Sequence, residues 1–148
     1  MAAAAEDLDA EVKRVFDGDS FLVILAEGGW REVRLAGIDA PERGQPYADA
    51  SRANLRRLIE HRRVHVVTDK RDRHGRLVGT VTREELDVAL AQLRAGLAWH
   101  DRRRRAESDP MLARAYADAE SEARVARRGL WRQNHPMPPW EWRRLHPR

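Results

Sequence analysis

Short apolar segments separated by tight turns occupy the first third of the chain. The run "EVKRVFDGDSFLVIL" predicts two strands joined by a turn at residues 17–20. A second turn at residues 27–29 leads to "WREVRLAGI", in which Val33 and Leu35 share one face and Arg34 points to the other. Together these segments predict a three-stranded antiparallel meander.

The rest of the chain alternates between helical and strand patterns. The segment "QPYADASRANLRRLIEH" predicts a helix, and "RVHVVTD" and "GRLVGTVT" predict two more strands. The segment "EELDVALAQLRAG" predicts a second helix that ends at Gly96, and a third runs from Pro110 to about Arg128 and ends at Gly129. We therefore predict an α+β domain dominated by a β-barrel: a five-stranded OB-type barrel with three α-helices and an irregular Pro/Trp-rich C-terminal tail.

The length of 148 residues is typical of one domain. We expect a flexible N-terminus over residues 1–10, the folded domain over residues 11–131, and a tail over residues 132–148 that packs on the domain or trails from it. The start "MAAAAEDLDA" does not have the pattern of a signal peptide, so a cytoplasmic protein and a secreted one with its signal removed are both compatible with it. No run approaches the ~18 apolar residues of a membrane helix. We expect a monomer with no membrane partner.

Composition limits the chemistry of any site. The chain has 28 basic and 24 acidic residues, a net charge of +4, and Lys only at Lys13 and Lys70. Arg is the better fork for phosphate, but a GC-rich gene would also favour Arg, so nucleic-acid binding must be argued from where the charges lie. The absence of cysteine excludes disulfides, thiolate ligands and a Cys nucleophile. A metal would therefore need oxygen or His ligands.

Two acidic residues fall at predicted strand ends. Asp19 lies in the turn "DGDS", and Asp39 lies where the third strand leaves the sheet. Pro41 favours an extended Ala40, which leaves the Ala40 carbonyl available to face outward. Two carboxylates and a carbonyl suit Ca²⁺, with water and a substrate phosphate completing the shell. The alternative is structural: "DGDS" as a simple turn and Asp39 as a strand terminator.

Three charged residues near these positions suggest phosphodiester cleavage. Glu42 is placed to orient or deprotonate a water beside a metal ion. Arg34 lies on the same strand as Asp39, and Arg76 lies in the turn "DRHGR" before the fifth strand. A metal and two guanidinium groups would stabilise the charge that builds on a phosphate under attack. The alternative for Arg34 is a purely structural ion pair with Asp39 or Glu42.

Five ordered motifs resemble those of the staphylococcal nuclease (thermonuclease) family. They are "DGDS", "VRLAGIDAPE", "DRHGRLVG", "LRAGLAW" and "EARVARRGLW", and the resemblance covers residues 12–131. It implies a five-stranded OB barrel with three helices. By position it also implies the calcium-binding carboxylates, a carbonyl ligand, a general base and two catalytic arginines, which are respectively Asp19 and Asp39, Ala40, Glu42, and Arg34 and Arg76.

The resemblance also implies an activity. Members of this family cut single-stranded or frayed DNA and RNA with little sequence preference and leave 3′-phosphate ends. The expected function is therefore a Ca²⁺-dependent endonuclease whose partners are single-stranded DNA and RNA. The alternative is a non-catalytic OB-fold module that binds nucleic acid or protein, as some repeated copies of this fold do in eukaryotic relatives after losing catalytic residues.

The chain departs from the family where the substrate pocket often has tyrosines. His74 stands where Tyr is common in the "DRHGR" turn, and "HDRRRR", which begins at His100, follows "GLAW". We expect both histidines to contact substrate. We also hypothesise that the four arginines of this run hold the strand by charge, and these are Arg102, Arg103, Arg104 and Arg105. The alternative is a solvated loop with ion pairs to Glu107 and Asp109.

Two further sets of residues have both a functional and a structural interpretation. His61 and His65 are four apart, as in a helical metal pair, but the predicted change from helix to strand falls between them. The tryptophans near the C-terminus are interpreted as hydrophobic caps or, alternatively, as base-stacking platforms, and these are Trp99, Trp131, Trp140 and Trp142.

Overall fold

The computed structural model describes residues 5–107 and 109–147. Along these residues the strands are β1 Glu6–Val15, β2 Ser20–Leu25, β3 Trp30–Leu35, β4 Ile38–Asp39, β5 Arg63–Arg71, β6 Leu77–Arg83, β7 Leu86–Asp87 and β8 Trp99–His100. The α-helices are α1 Ala48–Ile59, α2 Val88–Arg94, α3 Pro110–Val125 and α4 Pro139–Leu145. Short 3₁₀ segments lie at Arg102–Glu107 and Gly129–Arg132.

Five strands close into a barrel. β1 pairs antiparallel with β2 and with β5, β2 pairs antiparallel with β3, and β5 pairs antiparallel with β6. β6 then pairs parallel with β3, with Val33 opposite Leu77, and this contact joins the two ends of the sheet. The predicted five-stranded barrel is confirmed, and so are the three predicted helices. None of the helices along residues 5–107 and 109–147 is long and apolar enough to span a membrane.

The barrel interior is filled by the inward-facing residues of the strands. Strand alternation places every second side chain of β1, β2 and β3 inside, and Val12, Phe21 and Val33 are fully buried there. α1 covers the core through Leu55 and Ile59. Each such side chain contributes about 1.5–3 kcal/mol when it leaves water, so this core stabilises the surface on which the polar residues stand.

The N-terminal boundary differs from the prediction. β1 begins at Glu6, and residues 6–10 pair with β5 from Glu6 opposite Thr68 to Ala10 opposite Val64. The prediction of a flexible segment is therefore wrong for residues 6–10. Leu8 packs against the core and Ala10 lies in it, as expected for alternate residues of a strand. Three acidic residues between and before them make this apolar alternation hard to recognise in the sequence.

The C-terminal tail also differs from the prediction. It was expected to be irregular, but Pro139–Leu145 forms the helix α4. The helix packs beside a second hydrophobic cluster that contains Trp99, Trp131 and Leu130, and Trp140 of α4 contacts this cluster. The ring centroids of Trp99 and Trp140 lie 5.6 Å apart in an edge-to-face arrangement. The interpretation of these tryptophans as hydrophobic caps agrees with this packing.

A buried polar network connects α1 and α2 to the turn that precedes β2. The fully buried Gln92 donates from Nε2 to the carbonyls of Gly18 (2.8 Å) and Ser51 (3.0 Å), and its Oε1 accepts from Asn54 Nδ2 (2.6 Å). A Cβ on Gly18 would meet Ser51 Oγ at 1.8 Å, so the turn can approach α1 this closely only with glycine. The network therefore holds the residue before Asp19 in place.

Replacing Gln92 with Leu should destabilise the protein by roughly 2–4 kcal/mol, because the Gly18 carbonyl and the side-chain amide of Asn54 would lose the buried hydrogen bonds that they make with Gln92. Urea denaturation followed by circular dichroism measures the change in free energy of unfolding. The same substitution at the less buried Gln133 serves as the control and should cost under about 1 kcal/mol. Equal stability of the Gln92→Leu variant and the wild type would contradict the role of this network.

Candidate active site

Asp19 is positioned by its own turn and by β3. The carboxylate of Asp17 accepts from the Asp19 amide (3.0 Å) and from Ser20 Oγ (2.8 Å), which is the geometry of an Asx turn. The carbonyl of Asp19 accepts from the Leu35 amide at 2.8 Å. The backbone of Asp19 is thus fixed on both sides, and its Oδ2 accepts from the amide of Ala40 at 2.8 Å.

Asp39 is positioned by the two-stranded sheet of β4 and β8. Asp39 lies opposite Trp99 in this pairing, and the Asp101 amide donates to the Gly37 carbonyl at 3.0 Å. The bond between Ala40 and Asp19 brings this sheet to the Asp19 turn. The structure therefore brings together Asp19, Asp39 and Ala40, the three residues predicted to bind metal.

The two carboxylates are buried, which is unfavourable for their charged forms. Burial is the main cause that raises the pKa of Asp19, and the nearby Asp17 and Asp39 raise it further, whereas Arg34 opposes this shift. Burial also raises the pKa of Asp39, against the opposing effect of Arg143. Neighbouring buried carboxylates are stabilised by a cation. Their hard oxygen atoms fit Ca²⁺, which takes this kind of ligand.

The protein supplies few metal ligands. Within residues 5–107 and 109–147, no group of three or more His, Cys, Asp or Glu side chains is arranged to hold a metal ion. Two carboxylates and one carbonyl would leave several positions of a calcium shell for water and substrate. This incomplete set matches the chemistry of a site that must bind a phosphate oxygen.

Arg34 is a buried guanidinium beside the acidic pair. It lies opposite Ser20 in the pairing of β2 with β3, and its Nη2 donates to the carbonyl of Ile38 at 3.0 Å. Its positive charge lowers the pKa values of both Asp19 and Asp39 against the stronger effect of burial. Arg34 stands on β3 and Asp39 on β4, so the prediction that they share one strand is wrong, and the bond to the Ile38 carbonyl of β4 holds Arg34 beside Asp39.

Glu42 lies in a turn that follows Pro41. Its amide donates to Gln45 Oε1 (2.8 Å), and its carbonyl accepts from the Gln45 amide (2.9 Å). The side chain of Glu42 is 25% exposed, and its Oε1 accepts from Arg143 Nη1 at 2.6 Å. A carboxylate so placed is close to Asp39 and accessible to water.

Arg143 is a residue of the site that the sequence did not predict. Its Nη1 donates to Asp39 Oδ1 (3.2 Å) and its Nη2 donates to Asp39 Oδ2 (2.7 Å), in addition to the bond with Glu42. The contact joins residues 104 positions apart, and Arg143 lies in a Pro/Trp-rich tail that has no family motif. We find no sequence signal that would have identified it.

Arg76 lies at the start of the strand next to that of Arg34. In the parallel pairing of β3 with β6, Arg34 is opposite Val78, two residues after Arg76. The Nε of Arg76 donates to Asp72 Oδ2 at 2.7 Å, and the Asp72 carboxylate also accepts from the Arg76 amide. This bond holds Arg76 in the turn at the edge of the site.

The structure separates the two histidines that were predicted to contact substrate. His74 is exposed in the turn before β6, and its amide donates to Asp72. The structure corrects the prediction for His100, which is only 8% exposed. Its amide donates to Glu120 Oε2 (2.6 Å) and its ring packs edge to face on Tyr116 of α3. Both residues of β8 are buried, Trp99 in the tryptophan cluster and His100 against α3, so His100 is covered on its own face of the strand.

Two residues of the arginine run contact the carboxylate of Asp101. Arg103 donates from Nε and Nη2 to Asp101 (both 3.0 Å), and Arg104 Nε lies 3.2 Å from Asp101 Oδ2. Arg102 is exposed, and the side chain of Arg105 lies outside the described part of the structure. Asp101 pairs with both Arg103 and Arg104, and Arg103 Nη2 also lies 3.9 Å from Asp39 Oδ2. The predicted partner Glu107 has its side chain outside the described part of the structure.

The histidines at positions 61 and 65 do not form a helical pair. His61 lies in the turn after α1, and His65 lies on β5. The Nδ1 of His65 contacts Asp9 Oδ1 at 2.9 Å across the pairing of β1 with β5. His65 is thus engaged by a cross-strand hydrogen-bond contact with Asp9.

Comparisons with known proteins identify relatives over most of the chain. The family model described as staphylococcal nuclease homologue matches residues 32–133. An uncharacterized endonuclease of Escherichia coli is 37% identical over 138 residues, which are 93% of this chain and 86% of that protein. A micrococcal nuclease of Shigella flexneri is 35% identical over 147 residues, covering 93% of this chain and 82% of its own. A staphylococcal-like nuclease of Arabidopsis thaliana is 38% identical over 76% of this chain and 33% of its own.

The buried position of His100 predicts a specific dependence of stability on pH. Burial lowers the pKa of His100 from its ordinary value of 6.5, so the unfolded chain binds this proton more readily than the folded chain. The stability from neutral His100 is present above about pH 6.5 and is lost as the pH falls through the lowered pKa. Between about pH 7 and pH 5, wild type should therefore lose more stability than His100→Gln.

Urea denaturation at a series of pH values measures this difference. His135→Gln, at an exposed position, is the control and should lose stability in parallel with the wild type. Parallel curves for the wild type and His100→Gln would contradict the buried, neutral imidazole.

Proposed function

Because the chain belongs to the staphylococcal nuclease family, we propose that it is a calcium-dependent endonuclease. It would hydrolyse phosphodiester bonds of single-stranded DNA and RNA with low sequence specificity and leave 3′-phosphate ends. One observation carries the proposal. The buried carboxylates of Asp19 and Asp39 meet at the ends of separate strands, with Arg34 and Glu42 beside them. We further propose that the protein acts as a monomer and without a membrane.

Asp19, Asp39 and the carbonyl of Ala40 would hold the ion. All three offer hard oxygen atoms. Because both carboxylates are buried, a site with a bound cation is more favourable than one with two adjacent negative charges and no cation. When bound, calcium would supply positive charge to a non-bridging oxygen of the scissile phosphate.

Arg34 and Arg76 would bind the phosphate that is attacked. Negative charge builds on the equatorial oxygens of phosphorus as the nucleophile approaches, and guanidinium groups donate to such oxygens in a fixed fork. Arg34 is buried and bonded to the Ile38 carbonyl, so its orientation is set before substrate arrives. Arg76 is held similarly by Asp72 at the edge of the site.

Glu42 would orient and deprotonate the attacking water. The water oxygen forms a bond to phosphorus, its proton passes to the Glu42 carboxylate, and the bond from phosphorus to the 5′ oxygen breaks. The 5′ oxygen leaves with a proton taken from solvent, and the phosphate remains on the 3′ oxygen. The turn at residues 42–45 supports this role because it fixes the backbone of Glu42 while leaving the carboxylate partly exposed.

Arg102, Arg103, Arg104 and Arg105 would contribute charge along the path of the strand. Arg102 is exposed, and Arg103 stacks over the ring of Trp140 at 4.5 Å, which leaves a planar cation near the acidic pair. His74 is exposed in the turn of Arg76 and would contact the strand there. This arrangement would replace pocket tyrosines by electrostatic attraction.

Replacing Glu42 with Gln should lower the turnover number for denatured DNA by a factor of about 10²–10⁴, because the group that accepts the proton is removed while its size is kept. Initial rates are measured with calcium and with excess chelator, which should abolish cleavage by the wild type. Glu85→Gln, at an exposed turn, should retain full activity. Full activity of Glu42→Gln would show that Glu42 is not the base, and binding without cleavage by the wild type would indicate a non-catalytic module.

Replacing Arg102, Arg103, Arg104 and Arg105 with Gln should reduce the salt dependence of binding to a single-stranded oligonucleotide. Each lost phosphate contact lowers the slope of log affinity against log salt concentration by about 0.7 for single strands. Fluorescence anisotropy in the presence of chelator measures binding without cleavage. Arg114→Gln on the exposed face of α3 is the control. An unchanged slope in the fourfold variant would remove the arginine run from the substrate path.

A further inference from the structure

We propose that Arg143 is an internal cation of the metal-free site, and that the C-terminal helix α4 thereby lowers the affinity of the site for divalent metal. The inference rests on the proposed metal-binding role of Asp39. It assigns to the tail a regulatory function that concerns neither substrate binding nor the cleavage step.

The contact of Arg143 with the site is a bidentate fork. Both of its terminal nitrogens donate to Asp39, one to each carboxylate oxygen, at 3.2 and 2.7 Å. The nitrogen that bonds Oδ1 of Asp39 also donates to Glu42 Oε1 at 2.6 Å. One guanidinium therefore engages a proposed metal ligand and the proposed base together. Such bidentate contacts are the strongest hydrogen bonds that side chains form.

This fork competes with a metal ion for the same oxygens. A divalent ion shared by Asp19 and Asp39 needs a lone pair of Asp39, and Arg143 already takes one lone pair of each Asp39 oxygen. The guanidinium also repels an ion bound on the same carboxylate. Metal binding and the Arg143 fork therefore oppose each other. A change that strengthens the fork lowers the affinity for metal, and bound metal weakens the fork.

Few contacts hold α4 on the domain. Trp140 packs against Trp99, and the guanidinium of Arg103 lies over the Trp140 ring. Gln45 Nε2 donates to the Met137 carbonyl at 2.9 Å, just before the helix. These contacts place Arg143 at Asp39, and they also connect the tail with the turn of Glu42 through Gln45.

The length of α4 makes its docking reversible. The helix has seven residues, and a helix this short is unstable in water without tertiary contacts. The side chain of Arg143 is 38% exposed, and Leu145, His146 and Pro147 are exposed. A local opening of the tail would free Asp39 and Glu42 without disturbing the barrel.

Isothermal titration of the full metal-free chain with Ca²⁺ tests the inference. Arg143→Gln should bind Ca²⁺ at least about tenfold more tightly than wild type, since a single charge-assisted hydrogen bond is worth about one power of ten in affinity. Trp140→Ala, which loosens the docking of α4 and leaves Arg143 intact, should also bind Ca²⁺ more tightly. Arg144→Gln is the matched control, because Arg144 bonds only Glu141 of its own helix among the contacts described.

A second readout follows the tail itself. Limited proteolysis in the tail of the wild type should become faster when Ca²⁺ is added, because the ion displaces Arg143 from Asp39. In Arg143→Gln cleavage should be fast with and without Ca²⁺. Circular dichroism of each variant establishes that the barrel is folded, and the Trp140→Ala titration provides an independent test in case the charge change disturbs Asp39.

The outcomes separate this inference from the proposed function. Equal or weaker Ca²⁺ binding by Arg143→Gln and Trp140→Ala, with calcium-dependent cleavage by the wild type intact, would overturn the role of Arg143 and leave the nuclease proposal standing. Absence of Ca²⁺ binding in the wild type and in both variants, with no calcium-dependent cleavage, would overturn both. Tighter binding by both variants and an unchanged Arg144→Gln would support the inference.

Discussion

The hydrogen bond from the Ala40 amide to the Asp19 carboxylate is the contact on which the arrangement of the site depends. It joins the turn between β1 and β2 to the chain that leaves β4, which are separate in the sequence and belong to different sheets. The backbone amide of Ala40 donates to a buried carboxylate, and this bond orients the Asp19 Oδ2 atom. The gathering of Asp39 and Glu42 near Asp19 follows from it.

Charge balance explains why arginines surround this pair. The acidic side chains of Asp19, Asp39 and Glu42 are opposed by Arg34 on β3 and by Arg143 in the tail. Burial raises the pKa values of both aspartates in spite of these cations, so the site is less stable than an apolar one of the same size would be. Such a cost in stability is usual where a protein keeps ligands ready for an ion.

The sequence predicted the barrel and the residues at the strand ends because both have local signals. Turns, strand alternation and the motif around Asp39 are short-range patterns, and the side chains of Arg34 and Glu42 follow from them. Arg143 had no such signal, because its contact depends on how a short tail helix docks on tryptophans. His100 was misplaced because it follows the last residue of a motif, and its burial depends on the docking of α3, which supplies Glu120 and Tyr116.

The parallel contact between β3 and β6 has a consequence for how the protein is made. This contact joins segments far apart in the chain, and non-local pairing of this kind is slow to form. The earlier strands can pair by hairpins, but Arg76 reaches the side of Arg34 only when this last pairing is complete. A nascent chain would therefore lack the full set of charged groups of the proposed site until most of it had been synthesised.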